Sequence, residues 1–256
     1  MELLPGIVAD GTALYLDGAR ALVLSDLHIG YEQERRAAGF LLPEEQKRFF
    51  RQELDRLFKR HDIRTVILAG DVKHEFGRIS DEEWRDVRDL ILSIRERGAD
   101  VKVVVGNHDN LIRPILDRLS IPLVRGLILK NKNQDILILH GDEQLKTLVK
   151  EGSLEKEGLD VDVILIGHEH PSLRITDGLR TETVKCFLVG PYRHGRKKYQ
   201  MVVMPSSNPL AFGTDVLRER PLGPLLDSFG GFSAFAVLDE RVLAFGSLEV
   251  MQRRVS

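Results

Sequence analysis

Five short apolar runs in this chain each stop abruptly at side chains that bind metals, and that pattern limits the available folds more than any other feature. ALVLS runs into Asp26 and His28, and VILAG into Asp71 with His74 three residues on. VKVVVG runs into Asn107, His108 and Asp109, ILIL into His140, and DVILIG into His168 and His170. Runs this short and this apolar read as strands buried on both faces. In open α/β sheets, ligands bind beyond the carboxyl ends of the strands, so five such ends along one edge would gather these side chains into one cleft.

Between the runs the pattern is helical. Residues 43–60 are expected to form a helix, with Pro43 in its first turn and Phe50, Leu54, Leu57 and Phe58 on one face. Ser80 and Glu83 read as a capping box opening a second helix, in which Trp84, Val87, Ile91 and Ile94 recur at helical spacing and Gly98 marks the stop. Shorter helices are expected over 110–119 and 142–150. ALYLDGARALVLS reads as a hairpin turning at Asp17-Gly18. After residue 184 only strands are expected: a hairpin around the basic turn 193–198, and a second running to Met251 with its turn near Asp239-Glu240. Between them, 206–231 is a Pro- and Gly-rich excursion with one short helix expected. Its apolar residues, Leu225, Leu226 and Phe229 among them, exceed what a free loop needs, so it is expected to pack on its own domain or on a second copy in a homo-oligomer.

Helix–strand alternation followed by strands implies a layered α/β protein with a mixed sheet or two packed sheets. The 256 residues are near the limit for one hydrophobic core, and no linker divides them. One domain over 1–256 is therefore expected, with a motif-bearing core at 21–171 and strands plus the excursion at 184–251.

Composition narrows the chemistry. A single cysteine, Cys186, rules out an internal disulfide and a Cys-rich metal site. Carboxylates, imidazoles and an amide suit Mn, Fe, Zn, Co or Ni better than Mg or Ca, and Mn is the first expectation. A carboxylate such as Asp71 has two oxygens and can bridge two cations. Asp26-x-His28 and His168-x-His170 have the spacing that points two side chains the same way from extended backbone. Gly70, Gly106 and Gly167 would let the backbone approach closely just before the ligands. Each piece has an ordinary reading, since Asp-x-His is common at strand ends and Gly-Asp is usually a turn. Yet six of the eight histidines fall just beyond the expected strands, which separate coincidences do not explain.

The net charge of −2 supplies no global basic field for nucleic acid, so such contact needs a local patch. Arg193, Arg196 and Lys197 in the basic turn are candidates for phosphates flanking a scissile one, against the plainer reading of a solvated hairpin tip. Ser206-Ser207-Asn208 follows a strand, and its distance from the cleft is left open. No apolar run approaches the roughly 18 residues of a membrane span, and the first residues lack the features of a signal peptide, so a cytoplasmic, membrane-free protein is expected.

Asp26-x-His28, Gly70-Asp71-x-x-His74, Gly106-Asn107-His108-Asp109, His140-Gly141 and Gly167-His168-x-His170 resemble, in order, the five blocks of the calcineurin-like metallophosphoesterase superfamily. SDLHIGYE and GDVKHEFG look most like its archaeal SbcD-related branch and the PdeM-like phosphoesterases. The resemblance implies a four-layer αββα sandwich of two mixed β-sheets flanked by helices. It also implies two divalent metal ions, one held by Asp26, His28, Asp71 and His170, the other by Asp71, Asn107, His140 and His168. His108 would face the phosphate, Asp109 would orient His108, and His74 would make a further phosphate or leaving-group contact or support a ligand from behind. Two such cations acidify a shared water, making hydroxide available for in-line attack on phosphorus. His108 would stabilise the phosphate or protonate the leaving oxygen, worth on the order of 10²–10⁴-fold.

Three functions fit. The first is a phosphodiesterase or nuclease acting on nucleic acid or nucleotide diesters. The second is a phosphomonoesterase acting on a phosphoprotein or small metabolite. The third is a scaffold that works with a partner such as a helicase, against which the full ligand set argues.

Overall fold

Strands that are apolar on both faces need two covering layers, and the structure supplies them. The computed structural model describes residues 1–41, 45–77, 79–151, 160–176 and 180–255. The first sheet opens with a meander in which β1 (Glu2–Leu4), β2 (Ile7–Asp10), β3 (Ala13–Leu16) and β4 (Ala21–Leu24) pair antiparallel in turn. The chain continues through α1 (Tyr31–Ala37), α2 (Gln46–Arg60), β5 (Thr65–Ala69), α3 (Asp81–Glu96), β6 (Asp100–Val104), α4 (Arg113–Arg118) and β7 (Leu123–Val124). Strands β4 to β7 are parallel neighbours, so their carboxyl ends share one edge.

The second sheet takes β8 (Leu127–Asn131), β9 (Gln134–Ile138), β10 (Val163–Ile166), β11 (Pro171–Thr176), β12 (Thr181–His194), β13 (Lys197–Val203) and β14 (Thr214–Asp215), with α5 (Leu145–Lys150) between β9 and β10. Its order is β14-β11-β12-β13-β10-β9-β8. Off that path, β15 (Ser233–Leu238) pairs with β12 and with β16 (Arg241–Ser247), and α6 (Leu248–Val255) follows. Strands β9, β10 and β13 are parallel.

Successive side chains of each central strand enter different cores, as the two-residue period requires. Val23, Ile67 and Val104 of the first sheet meet Ile138, Leu165 and Val202 of the second between the sheets. Leu22, Val66 and Leu68 turn the other way, onto Leu54 and Leu57 of α2 and Val87 and Ile91 of α3. On the far side, Ile164, Ile166 and Leu188 pack with Leu145 and Leu148 of α5 and Leu248 of α6. The result is the αββα sandwich. Truncating a buried leucine or isoleucine among these to alanine costs roughly 2–5 kcal/mol.

The hairpin at Asp17-Gly18, the helices over 46–60 and 81–96 and the five central strands agree with the sequence reading. Pro43 lies outside the described residues. The capping box is half formed: Ser80 Oγ accepts from the Glu83 N–H at 3.0 Å, but the Glu83 carboxylate turns away to the N–H groups of His74 and Glu75, at 2.8 and 3.0 Å. No helix forms in 206–231, where Pro209, Pro221 and Pro224 interrupt the chain and only the short β14 appears. Its Leu225, Leu226 and Phe229 are buried under the second sheet, so the excursion packs on its own chain. The last hairpin stops earlier than expected, at Ser247, because Leu248 is drawn under that sheet as the start of α6.

Candidate metal centre

The loops leaving β4 and β5 run side by side before they diverge. Asp26 N–H donates to Gly70 O at 3.1 Å, His28 N–H to Asp71 O at 2.9 Å, and Ile29 N–H to Val72 O at 2.9 Å. Across the sandwich, Gly167 N–H donates to His140 O at 2.8 Å, which ties the ends of β10 and β9 together. The two edges come very close. A Cβ on Gly167 would stand 1.8 Å from Ser25 Oγ, and one on Gly106 would stand 2.3 Å from Asp71 Oδ1, so both positions require glycine.

Close approach is joined by backbone strain. Asp26, His28, Asp71, His168 and His170 all have positive φ, at 54°, 44°, 49°, 64° and 43°. Residues with a Cβ adopt this left-handed conformation at a cost, and such outliers gather where function demands a geometry.

The donor atoms converge in neighbouring groups. Asp26, His28 and His170 can each place one ligand atom within 4.8 Å of the others, and so can Asp71, His140 and His168. His170 Nε2 lies 3.1 Å from Asp26 Oδ1 and 3.4 Å from His28 Nε2. In the second group His140 Nε2 lies 3.2 Å from His168 Nδ1 and 3.1 Å from Asn107 Oδ1. Asp71 joins them, because its Oδ2 is 3.3 Å from His140 Nε2 and 3.8 Å from His28 Nε2. Imidazole nitrogens facing one another across such gaps, beside carboxylate oxygens, are a nitrogen–oxygen donor set suited to borderline divalent ions.

Electrostatics supports the same reading. Burial opposes charge on Asp26, yet His170, His140 and His28 around it hold its carboxyl well below the usual range. Burial pushes His28 down to about 3 and His168 to about 4, leaving neutral imidazoles with lone pairs to give. Burial also disfavours charge on His140, but the Asp71 and Asp26 carboxylates outweigh it and carry His140 up to about 10. In that position a proton balances the carboxylates, and a cation would displace it.

His108 stands at the rim. Its Nδ1–H donates to His74 O at 2.5 Å, its Nε2 lies 3.8 Å from Asp71 Oδ2, and its backbone N–H donates to Asp71 Oδ1 at 2.9 Å. His74 Nδ1 is 3.2 Å from His28 Nδ1, and its Nε2 pairs with Glu34. Together His28, His74 and His108 form a third converging group.

Two expectations need correction. Asp109 does not touch the His108 ring. Its fully buried carboxylate accepts the N–H groups of Gly106 and Val72 at 2.9 Å and of Lys73 at 3.3 Å. It clamps the loop after β6 to the loop after β5, and so places His108 through the backbone. Burial and the Asp71 charge raise its carboxyl to about 7.

Arg193, Arg196 and Lys197 lie at the wrong end of the sheet. Val203 of β13 pairs with Ile166, just before His168, whereas Lys197 is at the other end of β13, roughly 20 Å away at 3.3 Å per residue. Strand direction removes them from the cleft, and Lys197 instead pairs with Asp160 at 2.5 Å.

Other residues brace the centre, among them Ser206 and Asn208, whose distance from the cleft the sequence left open, and Ser25, Lys185 and Glu169, which it did not single out. Ser25 Oγ donates to Asp26 Oδ2 at 2.5 Å. Ser206 Oγ donates to Asp26 O at 2.7 Å and Asn208 Nδ2 to His28 O at 3.4 Å, which brings Ser206 and Asn208 beside the cleft. Lys185 is half-buried with its amine turned inward, donates to Ser206 O at 2.8 Å and to Asn208 O, and is held down to about 7 by desolvation of that amine. Glu169, between the two histidines, accepts the N–H groups of Leu222 and Gly223 at 2.6 and 2.9 Å and pins the excursion to the site. For Ser25, Lys185 and Glu169 the only signal in the sequence is position, next to a ligand or on a strand behind the site.

The structure is similar to that of nuclease MPE from Pseudomonas putida, with 19% identity, 91% of this chain and 92% of that one covered, and a TM-score of 0.60. The phosphoesterase Yfce from E. coli matches at 16% identity over 88% of this chain and 96% of that one, with a TM-score of 0.41. No curated protein matches the chain. Among the described residues no helix is long and apolar enough to cross a membrane. Residues 20–204, which hold every converging donor, match the calcineurin-like phosphoesterase superfamily domain, and the chain belongs to that superfamily of dinuclear metal-dependent hydrolases.

Proposed function

We propose that the chain is a phosphodiesterase or nuclease acting on nucleic acid or nucleotide diesters, with Mn2+ as its native metal. The observation that carries this reading is the position of Asp71 Oδ2, within 3.8 Å of a nitrogen from each donor group and of His108 Nε2. Asp26, His28, Asp71 and His170 would hold one ion, and Asp71, Asn107, His140 and His168 the other. Bound there, two divalent ions would acidify a water and neutralise charge on the phosphoryl oxygens.

The chain's own residues then divide the work. The His74 carbonyl requires a proton on His108 Nδ1, so Nε2 is the nitrogen free to act. When His108 is protonated, Nε2–H donates to a phosphoryl oxygen or to the leaving oxygen as the P–O bond breaks. His108 then recovers its proton from solvent. Burial holds His74 toward its neutral form, and an uncharged imidazole there suits a singly charged diester better than a doubly charged monoester. The likeness of SDLHIGYE and GDVKHEFG to SbcD-related and PdeM-like enzymes supports a diester substrate, as does the nuclease among proteins of similar structure.

Hydrolysis of bis-p-nitrophenyl phosphate and p-nitrophenyl phosphate with manganese tests the assignment. The diester should be cut faster. A faster monoester would overturn the diester preference, and activity that survives EDTA would overturn the metal reading.

A further inference from the structure

A row of flat side chains leads away from the metal centre, and both of its ends are bare. The Phe76 ring lies 3.9 Å from the His108 ring between centroids, and the His74 ring lies nearly parallel to His108, at 15° and 5.6 Å. Tyr31 meets His74 edge-on at 4.9 Å. The Arg35 guanidinium lies 5.2 Å from the centroid of Tyr31 and 5.3 Å from that of Phe40, and it donates to the Tyr31 hydroxyl at 2.9 Å. Phe76 is 57% exposed and Phe40 55%.

Neither phenylalanine serves the core. Phe76 gives one part of its ring to His108 and leaves the rest in water, within a ring's width of the group set against the phosphate. A ligand that matches this row must carry a flat π face tied by a short linker to a phosphate. Nucleobases have that form, and stacking on an aromatic ring tolerates any base because each has a π face. A base inside a duplex keeps both faces covered by its neighbours, so the row suits an unpaired one. Arg35 extends the row with a group that both stacks and carries positive charge.

We propose that Phe76, at the His108 end of a row that runs on through His74 to Tyr31, Arg35 and Phe40, is a stacking subsite for the unpaired nucleobase beside the scissile phosphate, which makes single-stranded nucleic acid the substrate class. This rests on the diesterase reading and adds to it what is recognised besides the phosphate.

Binding can be read apart from turnover. Fluorescence anisotropy in EDTA would compare a labelled single-stranded oligodeoxynucleotide with the same backbone built wholly of abasic sugars, on wild type and on Phe76→Ala. Wild type should bind the base-bearing strand about tenfold or more tightly than the abasic one, and Phe76→Ala should lose most of that difference. Phe76→Trp should restore it, which a merely structural role would not predict. The proposal is overturned if wild type does not distinguish the strands, binds neither, or if Phe76→Ala weakens both equally. Turnover of bis-p-nitrophenyl phosphate and of the oligonucleotide with manganese reports the diesterase reading separately. Base-dependent binding without any turnover would sink that reading and leave the stacking subsite standing.

Discussion

The second sheet carries a polar cluster at each end, and the two ends behave differently. At the carboxyl ends of β9 and β10, His140, His168 and His170 are drawn among buried carboxylates, and each is constrained, His168 and His170 by positive φ at 64° and 43° and His140 by burial to 2% exposure. At the tip of β12 and β13, Arg193, Arg196 and Lys198 are exposed and Lys197 pairs with Asp160. Both clusters are conspicuous as sequence. The difference is that one is forced together by strands that cannot move apart, while the other is charge at a turn where water can solvate it. Convergence under constraint, rather than density of charged residues, marks the working end.

That contrast can be broken by substitution. Asp71→Ala should lower turnover of a diester by about a thousandfold or more, since it removes the atom shared by both donor groups, and calorimetry should show weakened manganese binding. Asp109→Asn should cost about 10–100-fold in metal affinity or activity, because the clamp behind His108 is disturbed while every donor remains. Retention of full activity would show that the loop after β6 holds itself.

A pH experiment sharpens the picture behind the site. Burial lowers Lys185 from the ordinary 10.5 to about 7 in the folded chain. Between those values the unfolded chain binds a proton that the folded one lacks, so stability should rise with pH there. Below about pH 7 Lys185 is charged in both states and that gain is gone. Urea midpoints of wild type should therefore gain on those of Lys185→Met from pH 7 toward 10, and parallel curves would refute it. The smallest effect belongs to the basic tip. The triple change of Arg193, Arg196 and Lys197 to alanine should alter diester turnover by less than about twofold, as expected of solvated charge. A tenfold loss would return the tip to the substrate path.

Much of the centre was legible because its signals are local. Each donor follows an apolar run within a few residues, and a buried parallel strand must send its next residues toward the carboxyl edge. What stayed hidden depends on pairing across long separations. Whether Arg193 sits near or far from His168 is decided by the register of β13 on β10, which no window around residue 193 contains. The role of Asp109 depends on Val72 and Lys73 offering their N–H groups, and that of Glu83 on His74 and Glu75 doing so. Helix α1 was missed because Gly30 at its start has no capping side chain; its Glu32 instead accepts the Gln46 N–H at 2.7 Å and closes the start of α2.

The five left-handed residues around the centre have a consequence for how such a chain could change. A population of variants screened for folding alone would relax those positions toward glycine, which adopts positive φ without penalty. Each step would relieve backbone strain and remove a donor. Backbone comfort and metal binding therefore pull these positions in opposite directions, and two aspartates and three histidines stand there in the strained conformation.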